Sequence, residues 1–276
     1  MKTQSLFGQK MASDYFDEAE KSFEENDYKN ALTSFQYIVR HYPNNPLYPR
    51  AVFNVGYIYF LDKQFDSSLI VFKKILVSPF NEKDALGGGI MADPYANYKH
   101  RASEFISDIY ENKKMYDTAL YYFALSDTTY TYLHFCGNEY AEYDIHKALK
   151  YANLYKKMNK KNEAIASFLS AVFVRLADNS DVLSELKLLL KDKKNLKKDL
   201  ETAIENIYPK SFESEGTTYT IDYIKFLNVE IRVPEARILE EIDTPQPNVN
   251  GEDANKTRIK NRIYQSNFYK MMQTLF

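Results

Sequence analysis

The chain has no tryptophan, one cysteine and only eight glycines in 276 residues. A single thiol, Cys136, excludes an internal disulfide and any zinc site built from several cysteines. So few glycines argue against an all-β chain full of tight turns and against a doubly wound nucleotide fold. No run of about 20 apolar residues occurs, so no helix is expected to span a bilayer. Neither sign of charge prevails: the net charge is −2, which gives no global reason to expect nucleic acid as a partner. Also missing are Gly-x-Gly-x-x-Gly, a phosphate loop ending in Gly-Lys-Ser/Thr, Gly-x-Ser-x-Gly and His-Glu-x-x-His. Gly87-Gly88-Gly89 lacks both a lysine at the right place and a buried strand before it, and reads as a loop. The expectation is a non-enzymatic protein with no catalytic residues, no cofactor and no metal.

Tyrosine and phenylalanine are abundant, 24 and 18 of them, in a composition that is 45% hydrophobic. Such a chain can bury a substantial core, as one elongated array or two modest domains. Its aromatic residues recur in a pattern. Tyr28-x-x-Ala31-x-x-x-Phe35 breaks at Pro43 and resumes with Gly56-x-x-Tyr59, then Phe65-x-x-Ser68-x-x-x-Phe72. Small residues let two helices approach closely, and rings one turn away fill the gap. A first helical hairpin is expected over Met11–His41, with Tyr15, Ala19 and Phe23 at i, i+4, i+8, then Ala31, Phe35 and Ile38. Pro43, Pro46 and Pro49 end that hairpin and start the next, Pro49 to Val77. A third copy reads Tyr110, then Tyr116-x-x-Ala119-x-x-x-Phe123, and a fourth has Ala152, Tyr155, Ala164 and Phe168. The close-contact positions Ala31, Ser68, Ala119 and Ala164 are 37, 51 and 45 residues apart. The last two spacings imply insertions of about 17 residues, around Gly87–Pro94, and about 11, within Thr128–Tyr143, over a repeat of about 34.

Beyond Asp178-Asn179-Ser180-Asp181, a cap and break, two capping helices are expected at Val182–Leu190 and Leu196–Tyr208. Leu227–Val233 alternates apolar and polar residues as a strand does, with Thr217–Phe226 as its hairpin partner, although Ile221, Ile224 and Leu227 also fit a helical turn. Pro234 suits the start of a short helix to Ile242, Thr244–Thr257 reads as a linker, and Arg258–Phe276 as one amphipathic helix bearing Tyr264, Phe268, Met272 and Leu275. That helix is expected either to cover the convex side or the strand segment, or to dock into the chain's own groove or a second copy. The domains are then 11–177, an array of about four hairpins; 178–208, capping helices; and 209–276, a C-terminal appendage.

These repeats resemble the tetratricopeptide repeat (TPR) family over about residues 12–177, with Ser68 in place of alanine and Lys161 in place of an aromatic residue. The phrase Tyr42-Pro43…Ala51…Gly56-x-x-Tyr59…Phe65 looks most like bacterial cell-envelope repeat proteins of the outer-membrane-assembly type. The resemblance implies a mainly α protein, an α-α superhelix of the TPR-like solenoid kind with a small C-terminal α+β appendage. It also implies that the first helix of each hairpin lines a concave groove that holds a protein or peptide. Carried onto this chain, the groove positions are Phe16, Glu20 and Phe23; Arg50, Phe53, Tyr57 and Phe60; Arg101, Glu104, Asp108 and Glu111; and Leu149, Asn153 and Lys156. Such a groove is aromatic at one end, acidic in the middle and basic beyond. Phe16, Glu20, Phe53 and Tyr57 hold the places where chaperone-binding members of the family carry a Lys and Asn clamp, so that partner class is not expected.

The remaining candidates have plainer readings. His134-Phe-Cys136 with Glu139, Glu142, Asp144 and His146 lacks a recognised ligand spacing and reads as a solvated loop. Lys191, Lys193, Lys194, Lys197 and Lys198 alternate with Leu186, Leu190, Leu196 and Leu200, the wet face of a helical pair. His41 and His100 are isolated and are expected at helix ends or on the surface. Gln4–Gln9 resembles the tail of an export signal, with Gly8 at a cleavage point, which favours an extracytoplasmic location with the signal trimmed. Two other functions stay open: a cytoplasmic regulatory TPR module, and an envelope protein that binds carbohydrate through groove aromatics.

Overall fold

The computed structural model describes residues 10–84, 95–133, 137–174, 176–214, 216–233 and 252–276. Several expectations therefore lie outside the described residues: the loop at Gly87–Pro94, His134-Phe-Cys136, the helix from Pro234 to Ile242, positions 244–251 of the expected linker, and the signal-like Gln4–Gln9. The chain divides into two compact units, Met1–Phe135 and Cys136–Phe276.

The first unit is three helical hairpins: α1 (Ala12–Glu24) with α2 (Tyr28–His41), α3 (Tyr48–Leu61) with α4 (Phe65–Leu76), and α5 (Tyr98–Asn112) with α6 (Tyr116–Thr128). Each helix packs on the next, and α3 also meets α5, the arrangement of TPR-like hairpins in series. Asp27 caps α2 by accepting from the Asn30 N–H at 3.2 Å, and Pro49 sits in the first turn of α3. The repeated small residues do what their spacing implies. A Cβ on Gly56 would lie 2.9 Å from Cε1 of Phe72, so the α3–α4 contact needs a residue with no side chain. Ser68, standing where the repeat pattern has alanine, donates its hydroxyl to the Gly56 carbonyl at 2.9 Å and adds a bond at the same contact.

Four turns close the hairpins, and each ends its first helix on a residue with positive φ: Asn26 (59°), Lys63 (57°), Lys114 (59°) and Asn159 (58°). Their spacings are again 37, 51 and 45, so turns and close-contact positions share one register. Buried His100 differs from its expected surface location. Its Nδ1 lies 3.1 Å from the Ser126 carbonyl and 3.0 Å from that of Tyr130, which places a proton on that nitrogen.

The second unit begins with the fourth hairpin, α7 (Gly137–Lys157) and α8 (Lys161–Leu169). The insertion expected over Thr128–Tyr143 is in part extra helix, because α7 already starts at Gly137. Glu142, Asp144 and His146 accordingly lie on a helix rather than in a loop. Helices α9 (Ser180–Leu190) and α10 (Leu196–Glu205) follow, with buried Leu186, Leu190, Leu196 and Leu200 facing the core and Lys191, Lys194, Lys197 and Lys198 exposed.

The second capping helix was expected to reach Tyr208. It stops at Glu205, and the chain enters an antiparallel sheet of order β1-β2-β3: β1 (Tyr208–Ser214), β2 (Thr217–Phe226) and β3 (Val229–Arg232). Leu227 belongs to the β2–β3 turn instead of the strand. With φ of 50° at Leu227 and 65° at Asn228, this is the two-residue turn that matches strand twist. Ile224, Phe226, Ile231 and Val233 bury the base of the sheet, whereas Phe212, Glu213, Thr218 and Thr220 toward the far end of the β1–β2 hairpin are exposed.

The C-terminal helix is likewise two, α11 (Glu252–Gln265) and α12 (Asn267–Gln273). They are separated at Ser266, whose side chain accepts from the Tyr269 N–H at 3.1 Å. Ile259, Ile263, Phe268 and Met272 are buried in the second unit's own core, against Phe173 and Phe226 among others. The apolar face of this segment is therefore occupied there, over α9, α10 and the strand base, and is not free to fill a groove or join a second copy.

Candidate functional site

In the first unit, α1, α3 and α5 turn one face toward a cavity of about 490 Å³. Six of the residues expected in the groove line it: Glu20, Phe23, Arg50, Phe53, Tyr57 and Arg101. Helical periodicity explains the convergence. Glu20 and Phe23 are three residues apart on α1, and Phe53 and Tyr57 four apart on α3, so each pair shares a stripe. The rings form a continuous bed: Phe23 lies 5.9 Å from Tyr57, and Tyr57 5.3 Å from Phe105. At one side Arg50 bonds Glu20 at 3.2 Å and sets its guanidinium 4.7 Å over the Phe16 ring.

Other expected residues fall elsewhere. Phe16 is only 3% exposed and packs edge-on against Phe35 at 5.2 Å, so it belongs to the core instead of the groove surface. Phe60 leans on Phe65 and Phe105 away from the cavity, and Glu104 pairs with His100 at 3.5 Å. Asp108 is half-buried further along α5 and does not line the cavity. Asn153 and Lys156 are on α7 of the second unit, where Asn153 is exposed and Lys156 is paired with Glu185.

Four residues missed in the sequence, together with Phe35 of the α2 core, complete this lining. Glu24, Asn54, Ala96 and Tyr98 also line the cavity. Phe105 underlies it, stacked 5.1 Å from Phe72 with only 6° between planes. Asn54 and Phe105 occupy equivalent places, four residues after Arg50 and Arg101. That spacing puts them on the same helical stripe and was the available signal. Tyr98, 2% exposed, carries a hydroxyl with no hydrogen-bond partner among the described residues. Burial and the nearby Asp84 carboxylate push its phenol well above the usual tyrosine range.

Arg50 and Tyr98 also wall a second cavity of about 950 Å³, bounded by the Pro43–Pro49 linker and by Ser78–Asp84. Beside it, burial raises the Glu82 carboxyl above the usual range despite the Lys99 N–H that Glu82 accepts at 2.9 Å. No group of three or more His, Cys, Asp or Glu among the described residues is placed to hold a metal ion, and no described helix is long and apolar enough to cross a membrane.

No protein-family model matches the chain, and no curated protein matches it either. Among solved structures it is similar to one described as the crystal structure of MamA protein, with a TM-score of 0.44 at 14% identity over 65% of this chain and 81% of that chain.

Proposed function

We propose that this protein is a non-enzymatic scaffold that holds a protein or peptide partner in the groove of its first unit. The observation that carries the reading is the convergence of Phe23, Phe53 and Tyr57 with Glu20, Arg50 and Arg101 around one cavity. Rigid rings offer contact area at little entropy cost, and charges of both signs at the rim orient a ligand more than they tighten it. Tetratricopeptide hairpins supply a preformed surface for this purpose, so little of the partner's binding energy is lost in ordering the scaffold. An envelope assembly is the proposed setting, on the strength of the Tyr42…Phe65 phrase.

A photo-crosslinking amino acid placed at Tyr57, and separately at exposed Ile70 on α4, tests the site in cells. Adducts are expected at Tyr57, not at Ile70, and Phe53→Ala should weaken them about tenfold, the effect of losing one buried aromatic contact. Equal labelling at both positions, or indifference to Phe53→Ala, would refute the groove. The same cells, fractionated, test the envelope location.

A further inference from the structure

Among the described residues, no strand pairs with the outer edge of β1 in the second unit's sheet. The Val233 N–H donates to the Asp222 carbonyl at 3.0 Å, so residue 222 directs its backbone toward β3. Because backbone groups alternate sides along a strand, residues 219, 221 and 223 must then direct theirs toward β1. The β1–β2 register pairs them with Phe212, Lys210 and Tyr208. On β1 this leaves Pro209, Ser211 and Glu213 pointing their backbone groups away from the sheet, and all three residues are exposed.

We infer that β1 is a self-association edge, where β1 of a second copy adds antiparallel about a twofold axis at Phe212. Two observations select this register and this occupant. Pro209 has no N–H, so a register using it as a donor forfeits hydrogen bonds. Centring on Phe212 instead pairs Ser211 with Glu213 of the other copy, twice, for four backbone hydrogen bonds without Pro209.

The same register places Phe212 opposite its own counterpart in a close, non-hydrogen-bonded pair. Phe212 is 44% exposed in the single chain, and its ring lies 6.4 Å from Tyr223, which in turn lies 6.3 Å from Tyr208. The twofold pair covers Phe212 with an aromatic cross-strand contact and continues this row of rings into the second copy. No like charges are directly opposed: Lys210 comes opposite residue 214, a serine, and Glu213 opposite Ser211. Edge strands are normally blunted by charge or proline. Here the one proline is at the base, outside the paired stretch.

The full chain carrying Cys136→Ser, with a single new cysteine from Phe212→Cys or Ser211→Cys, provides the test. Directly opposed residues of a non-hydrogen-bonded pair have Cα atoms about 4.5 Å apart, within disulfide reach, whereas Ser211 and its counterpart are two positions out of register. Mild oxidation is expected to give a disulfide dimer for Phe212→Cys and not for Ser211→Cys. Sedimentation of the unmodified chain should move from monomer toward dimer as concentration rises, and Glu213→Pro, which deletes an edge N–H, should abolish that shift while leaving the melting temperature unchanged. A monomer at every concentration, equal cross-linking at both positions, or a dimer that survives Glu213→Pro would overturn the inference.

Discussion

Two buried serine hydroxyls of the first unit do opposite things. Ser68 spends its proton on the Gly56 carbonyl, whereas Ser107, on α5, is fully buried with a hydroxyl that has no partner among the described residues. Ser68→Ala is therefore expected to cost about 1 kcal/mol, and Ser107→Ala to be neutral or stabilising by up to about 1 kcal/mol, as urea denaturation would measure. Gly56→Ala forces a methyl against the Phe72 ring and should cost about 1–3 kcal/mol. Glu82 predicts a pH effect. Its carboxyl is raised in the folded chain, so its contribution to stability is complete below the ordinary carboxylate range and is lost as pH rises through the raised value. Glu82→Gln should remove that slope from a plot of melting temperature against pH, leaving the rest of the profile in place.

At the scale of elements, the hairpin turns carry the clearest test. Lys63 and Lys114 hold a left-handed conformation that costs a residue with a Cβ about 1 kcal/mol, and glycine adopts it freely. Lys63→Gly and Lys114→Gly should each stabilise by about 0.5–1 kcal/mol in thermal melts. No glycine marks these turns, which is why they left little trace in the composition while the small-and-aromatic spacing of Ala31, Ser68, Ala119 and Ala164 stood out. The hairpins were legible because their period reflects packing that every copy must repeat. The elements that were misread lack such repetition. Leu227 looked like strand because an apolar residue in a turn keeps the alternation going. Tyr208 looked like helix because Leu196 to Ile204 set a helical rhythm that nothing in the residue types interrupts before β1. Within the candidate site, Phe53 and Tyr57 were legible from the register, and Phe105 was not, because the register named the stripe through Arg101 and Glu104 and stepped past its neighbour.

At the scale of the molecule, each unit has buried core clusters of its own among the described residues. Among the described residues, the second unit's core cluster is built from residues from Ile145 onward, and Phe268 is fully enclosed within it. Phe268→Ala should cost about 3–5 kcal/mol, and hydrogen exchange should speed in α8–α10 and α12 while protection of α1–α6 is retained. Protection lost throughout the chain would mean that the units unfold as one. Within the first unit, however, the hairpins are not interchangeable bricks. Phe72 fits against Gly56 on one side and stacks on Phe105 on the other, so the second hairpin is keyed to the third by a shape neither shares with the first. A recombination event that duplicated or deleted one hairpin would leave a ring without its slot or a slot without its ring. An array lengthened or shortened by one hairpin is therefore expected to be less stable than this one, unlike arrays of uniform repeats.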